Sequence, residues 1–251
     1  MKSRTKFKAI ICDIDGTLIP NRRDGKPSKK VIEAVNKASQ KIHFGVATAR
    51  PFFLTKPITD NFQLSGPSII HGGAQIIDLT SGKILKEQKI AAEDILKVFA
   101  ITQRMNLLFK VDEETESVPM SEEWKPHPIL GAYISALTLK TAQFLEKKLS
   151  HIPGISIHLV PSWHKGRVTV DISRASAGKQ YAILEVAEIL GIKPHEIIGV
   201  GDGYNDFPFL MACGLRVAMG NAVPELKEIA NYIAPPVEED GLVDVIEKFI
   251  L

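Results

Sequence analysis

Apolar residues gather in short unbroken runs near the two ends of the chain, whereas the middle alternates in a looser way. Residues 7–12 form a short, mostly apolar run that stops at Asp13, the pattern of a strand buried on both faces whose carboxyl end meets solvent. Ser28 can cap a helix that carries Val31, Ile32, Val35, Ala38 and Ile42 at helical spacing, and a second strand follows over 44–48. Residues 68–71 predict a third strand, broken by Gly72 and Gly73. Strand, helix, strand at this spacing predicts a parallel sheet with right-handed crossovers.

Residues 75–85, with Ser81 and Gly82 as the turn, predict a hairpin, and the pattern then changes. A helix over 91–105, strands over 107–111 and 133–139, a helix over 141–149 and strands over 155–160 and 167–172 describe a separate α+β unit. Its least regular part is the acidic, proline-containing loop 112–128, which holds Trp124 and His127. After Ser176 the first pattern resumes: a helix over 180–190 stopped by Gly191, strands over 197–200 and 215–219, a helix after Pro224 and a last helix over 242–249. The expected fold class is therefore α/β, a Rossmann-like parallel-sheet core made of residues 1–83 and 176–251, with an inserted α+β cap over 84–175.

With 251 residues, 45% of them hydrophobic, the chain has enough apolar mass for two such cores. A formal charge of +2, without clustered lysine and arginine, argues against a nucleic-acid partner. The basic start at Lys2, Arg4, Lys6 and Lys8 leads into an apolar run too short for a signal peptide, and no stretch approaches the roughly 18 apolar residues of a membrane span. Cys12 and Cys213 form neither a CxxC pair nor a disulfide framework, so the expected compartment is the cytoplasm. No sequence feature bears on oligomeric state.

Candidate chemistry lies where core strands end. Asp13-Ile14-Asp15-Gly16-Thr17, Thr48 and Gly201-Asp202-Gly203-Tyr204-Asn205-Asp206 each follow a strand, and Lys179 opens a helix. Ligands of open parallel sheets bind at strand carboxyl ends, so topology brings these clusters to one crevice. Asp13, Asp202 and Asp206 would crowd negative charge there, and carboxylates in close company need a cation or a lysine. Magnesium suits oxygen ligands and keeps waters of its own, and no His and Cys set at zinc spacing competes. Each residue also has a plainer reading: Asp13 as a turn residue, Lys179 as a solvated lysine, Asn205 as a helix cap, Cys12 as a small strand residue. Trp124, His127, Trp163, His164 and Arg167 are candidates for the cap face over a substrate, with ordinary packing as the alternative. GxGxxG, GxxxxGK[ST] and calcium-loop patterns are not met.

The DxDGT segment at Asp13, Thr48, Lys179 and the GDGxND segment at Asp202, in that order, resemble the four motifs of the haloacid dehalogenase-like phosphatases, and the whole chain resembles their Cof-type subfamily. The resemblance implies a phosphatase for small phosphorylated metabolites, with Asp13 as nucleophile and Asp15 as general acid and base. It further implies Mg2+ held by the Asp13 carboxylate, the Asp15 carbonyl and Asp202 with Asp206 supporting its waters, and phosphate bound by Thr48, Ala49, Lys179 and Asn205. A phosphomutase or phosphotransferase would use the same nucleophile, and a receiver-type binding module would also take phosphate on an aspartate. Two positions depart from the subfamily: Ala49 stands where glycine is usual, and Gly72 where asparagine is usual.

Overall fold

A computed structural model describes residues 6–22, 24–162 and 164–251 of the chain. Lys2, Arg4 and Trp163 lie outside the described residues. The chain opens with β1 (Ala9–Cys12), α1 (Lys29–Ser39), β2 (His43–Val46), α2 (Phe52–Thr59) and the strands β3 (Pro67–Ile70), β4 (Gln75–Asp78) and β5 (Ile84–Glu87). The middle comprises α3 (Ala92–Arg104), β6 (Lys110–Asp112), β7 (Ser117–Pro119), β8 (Ala132–Leu137), α4 (Leu139–Leu149), β9 (Ile155–Pro161) and β10 (Val168–Arg174). The chain closes with α5 (Lys179–Ile189), β11 (Ile197–Gly201), α6 (Phe207–Ala212), β12 (Leu215–Ala218), α7 (Pro224–Ile229), β13 (Tyr232–Ile233) and α8 (Gly241–Phe249).

Five strands form one all-parallel sheet in the order β13-β12-β11-β1-β2, so the first strand sits beside one that follows it by most of the chain. The unbroken apolar run of β1 follows from burial on both faces. Ile10 and Cys12 pack into one cluster with Val35 of α1 and Val245 of α8, while Ala9 and Ile11 pack into another with Ile183 of α5 and Phe209 of α6. Each such isoleucine removed from water contributes about 1.5–3 kcal/mol. Ser28 caps α1 as expected, its hydroxyl oxygen accepting from the Val31 amide at 3.2 Å.

The third expected strand continues this sheet only through a parallel bridge between Ala47 and Ile69; its main partner is β4, in an antiparallel three-stranded sheet β3-β4-β5. Residue 83, the expected boundary, lies in the turn between β4 and β5. Helix α2 was not anticipated, because Pro51 before it and Pro57 inside it look like loop punctuation. Pro51 is the cap residue, in extended backbone at φ −69°.

The middle segment builds an antiparallel sheet in the order β7-β6-β8-β10-β9. One face packs Val111, Ala132, Ile134, Val170 and Ile172 against Ile95 and Val98 of α3 and Leu145 and Leu149 of α4. Register places Lys110, Tyr133, Asp171 and His158 in one cross-strand row on the other face. This polar face meets the parallel-sheet side of the molecule, where Asp112 Oδ2 lies 3.6 Å from His71 Nδ1. Gly72, at φ +63°, directs its missing side chain at Asp171, 3.9 Å from the carboxylate oxygen.

The β3–β4 connection and the segment leading from β10 into α5 pass each other in backbone contact. Gly73 has φ +109°, and a Cβ there would lie 2.3–2.8 Å from the carbonyl carbon, oxygen and Cα of Gly178. Only glycine fits both the conformation and the gap.

Candidate active site

β1 delivers Asp13 at its carboxyl end, and the neighbouring β11 delivers Asp202, so the parallel register brings together two acids remote in sequence. Lys179 opens α5 and is 4% exposed. Its ammonium donates to Asp13 Oδ1 and to Asp206 Oδ1, both at 2.7 Å. The other Asp206 oxygen accepts from the backbone amides of Asp202 and Gly203, each at 3.0 Å. Asp206, fully buried, thus ties lysine to loop.

Asp202 receives a hydrogen bond from the Thr17 hydroxyl at 3.1 Å and a longer one from Asn221 Nδ2 at 3.5 Å. Asn221 Nδ2 also donates to the Gly16 carbonyl at 2.8 Å, while its Oδ1 accepts from the Val237 amide at 2.9 Å. Gly16 is required here twice over: its φ is +83°, and a Cβ would lie 2.1 Å from Asp202 Oδ2.

Carboxylate oxygens of Asp13, Asp202 and Asp206 lie within 4.8 Å of one another. Burial drives the Asp13 carboxyl well above its ordinary range; Lys179 opposes this, and Asp206 and Asp202 reinforce it. Asp202 is pushed up to about 7, first by burial and then by Asp206. Burial alone would lower the Lys179 ammonium, but Asp13 and Asp206 outweigh it and hold its pKa above the usual value. The lysine is therefore charged, and three carboxyl groups face one ammonium. Only with all three ionised would two negative charges be left over, the charge of one divalent cation, and the raised Asp13 and Asp202 show how strongly the cluster resists that state without one. An all-oxygen donor set suits a hard ion such as Mg2+.

Asp15 points elsewhere. Its two oxygens accept from Arg50 Nε at 2.7 Å and Arg50 Nη2 at 2.6 Å, a two-point pairing that sequence reasoning missed. Thr48 ends the β2 side of the crevice, 1% exposed. Its hydroxyl oxygen accepts from the Arg50 amide at 3.1 Å, and its carbonyl accepts from Gly72. Ala49 lies between Thr48 and Arg50, and Asn205 lies in the loop that carries Asp206. Among the described residues, Thr48, Ala49 and Asn205 make no hydrogen bond to the lysine cluster.

Cys12 is fully buried in β1, and burial followed by Asp13 raises its thiol well above the usual value, as suits a strand residue rather than a nucleophile. Trp124 Nε1 donates to Glu113 at 3.1 Å, and His127 pairs with the same carboxylate at 3.0 Å. His127 lines a cavity of about 410 Å³ together with His71 and Asp112. His164 and Arg167 are exposed in the turn between β9 and β10.

A family profile described as haloacid dehalogenase-like hydrolase matches residues 10–128 and 109–246. The chain belongs to that family. Among relatives of this haloacid dehalogenase-like hydrolase, the putative phosphatase YkrA of Bacillus subtilis is 27% identical over 262 residues, covering 96% of this chain and 97% of its own. The 5-amino-6-(5-phospho-D-ribitylamino)uracil phosphatase YwtE of the same organism is 25% identical, covering 97% and 98%. The solved structure of the subclass IIB sugar phosphatase BT4131 superposes with a TM-score of 0.79 at 23% identity, covering 96% and 98%, which shows the shared fold. This haloacid dehalogenase-like hydrolase is a phosphoric monoester hydrolase, and the receiver-type alternative falls away. No helix among its described residues is long and apolar enough to cross a membrane.

Proposed function

We propose that the chain is a magnesium-dependent phosphatase that hydrolyses small phosphate monoesters, sugar phosphates among them, through an aspartyl-phosphate on Asp13. The observation that carries the reading is the lysine-bridged acid cluster: Asp13 at 2.7 Å from Lys179, with Asp202 and Asp206 within 4.8 Å. The Asp13 carboxylate, the Asp15 carbonyl and Asp202 would hold Mg2+, and Asp206 would support it from outside while anchoring Lys179. Bound there, Mg2+ supplies charge neutralisation for the phosphoryl oxygens.

The residues divide the reaction as follows. An Asp13 oxygen forms a bond to phosphorus as the bond to the leaving oxygen breaks, and Asp15 gives that oxygen its proton. A water then attacks phosphorus, the Asp13–phosphorus bond breaks, and Asp15 takes the water's proton. Lys179, Thr48, the Ala49 backbone and Asn205 bind the phosphoryl oxygens, whose charge spreads as the reaction proceeds. We assign residues 1–83 and 176–251 to a catalytic core and 84–175 to a cap that shields it and meets the leaving group. The two buried, free cysteines support placement in a reducing cytoplasm.

Purified protein with Mg2+ should release inorganic phosphate from members of a panel of phosphorylated metabolites, and Asp13→Asn should not. Retention of wild-type rates by Asp13→Asn would overturn the nucleophile. Transfer of the phosphoryl group to a sugar acceptor, rather than to water, would make the protein a phosphotransferase.

A further inference from the structure

We propose that Arg50 is the positioning residue for Asp15, holding its carboxyl group so that it can pass a proton to the leaving oxygen. The inference rests on the phosphatase reading above and deepens it. Nothing in the chemistry of phosphoryl binding requires Arg50 to face Asp15, yet its guanidinium meets both carboxylate oxygens, at 2.7 and 2.6 Å.

Arg50 is fixed from behind. Its amide donates to the Thr48 hydroxyl oxygen at 3.1 Å, and its carbonyl accepts from the His71 amide at 3.0 Å. Its side chain is 10% exposed against 25% for that of Asp15, so the arginine is the buried, fixed partner and the acid the accessible one. The two contacts use separate nitrogens and separate oxygens. One oxygen can therefore stay on Nε or Nη2 while the other turns to the leaving group, and the carboxyl group pivots instead of drifting. A lysine could supply the charge but not two donors in fixed geometry. In the step itself, the bond between phosphorus and the leaving oxygen breaks, the proton moves from Asp15 to that oxygen, and Arg50 neither gains nor loses a proton.

Leaving-group dependence tests this. An alkyl phosphate leaves as a strongly basic alkoxide and needs the proton, whereas p-nitrophenyl phosphate leaves as a stable phenolate and scarcely does. kcat/KM reports the steps through release of the alcohol, so it isolates this proton transfer from the later attack of water. Arg50→Gln should lower kcat/KM for an alkyl phosphate by roughly 10²-fold, the lower end of general acid catalysis, and for p-nitrophenyl phosphate by only about threefold. Arg50→Lys should keep most of that difference. In an Asp15→Asn background, Arg50→Gln should cost nothing further with either ester, because it acts through a group no longer able to give a proton.

Equal losses for both esters, full recovery in Arg50→Lys, or additive losses in the double variant would overturn the role of Arg50. Should Arg50→Gln fail to fold, the same comparison made with Arg50→Lys decides. A wild-type protein that hydrolyses neither ester would instead overturn the phosphatase reading on which the inference rests.

Discussion

The Lys179 ammonium lies 2.7 Å from Asp13 Oδ1 across a sequence separation of 166 residues. The pair is buried, with side-chain exposures of 4% and 9%, so neither charge has water to fall back on. Lys179→Met would strand Asp13 and Asp206 without their cation. It should lower unfolding free energy by about 3–5 kcal/mol, the usual consequence of removing one partner of a buried pair. Urea unfolding in the absence of divalent ions measures this, and a loss below about 1 kcal/mol would contradict the coupling.

Metal should stabilise the fold by mass action. Protein stripped with a chelator should unfold at lower temperature than protein in excess Mg2+, with about 2.7 kcal/mol gained at a hundredfold excess over Kd. Asp202→Asn should abolish that gain. Asn221→Ala, which frees both the Gly16 carbonyl and Asp202, should raise the Mg2+ concentration needed for half-activation by roughly 10- to 100-fold.

Gly73→Ala has no low-energy solution. The residue sits at φ +109°, and the new Cβ would meet Gly178 backbone at 2.3 Å. Strain and overpacking together should cost about 2–5 kcal/mol. Thermal unfolding followed by circular dichroism would show it, and an unchanged midpoint would mean that the two segments separate freely.

Asp171, on the face of the antiparallel sheet that meets Gly72, supplies a pH dependence of stability. Burial first, and then the charge of Asp112, push its carboxyl from 3.8 up to about 7. Between those values the folded protein keeps a proton that the unfolded chain has released. Stability from this group is therefore present at low pH, falls as pH rises through that window, and is lost above about 7. The residue keeps some solvent contact, so the effect should be on the order of 1–2 kcal/mol. Asp171→Asn removes it: the stability of this variant relative to wild type should increase between pH 4 and pH 8, and a constant difference would refute the assignment.

Periodicity carried the parallel core because strands buried on both faces, such as β1, leave short unbroken apolar runs that end in acid or glycine. It failed at α2, where two prolines mask a helix, and at β7, three residues inside an acidic loop. The acids and Lys179 were legible because each ends a strand or opens a helix. Arg50 was legible only as a neighbour of Thr48, since its pairing with Asp15 spans 35 residues and leaves no local pattern. Thr17 stood within a cluster already singled out, though without its partner. Asn221 could have been found, because it follows the end of β12 and the rule applied to β1, β2 and β11 extends to it.

Asp13, Thr48 and Asp202 sit just beyond three strands that lie side by side and share hydrogen-bond ladders. Neighbouring strands are held about 4.8 Å apart by the backbone itself, so the sheet acts as a ruler for the crevice and side-chain packing only refines it. Damage that spares those ladders leaves the reacting groups at working distances. Turnover should then persist in progressively weakened variants and disappear only when the sheet itself melts.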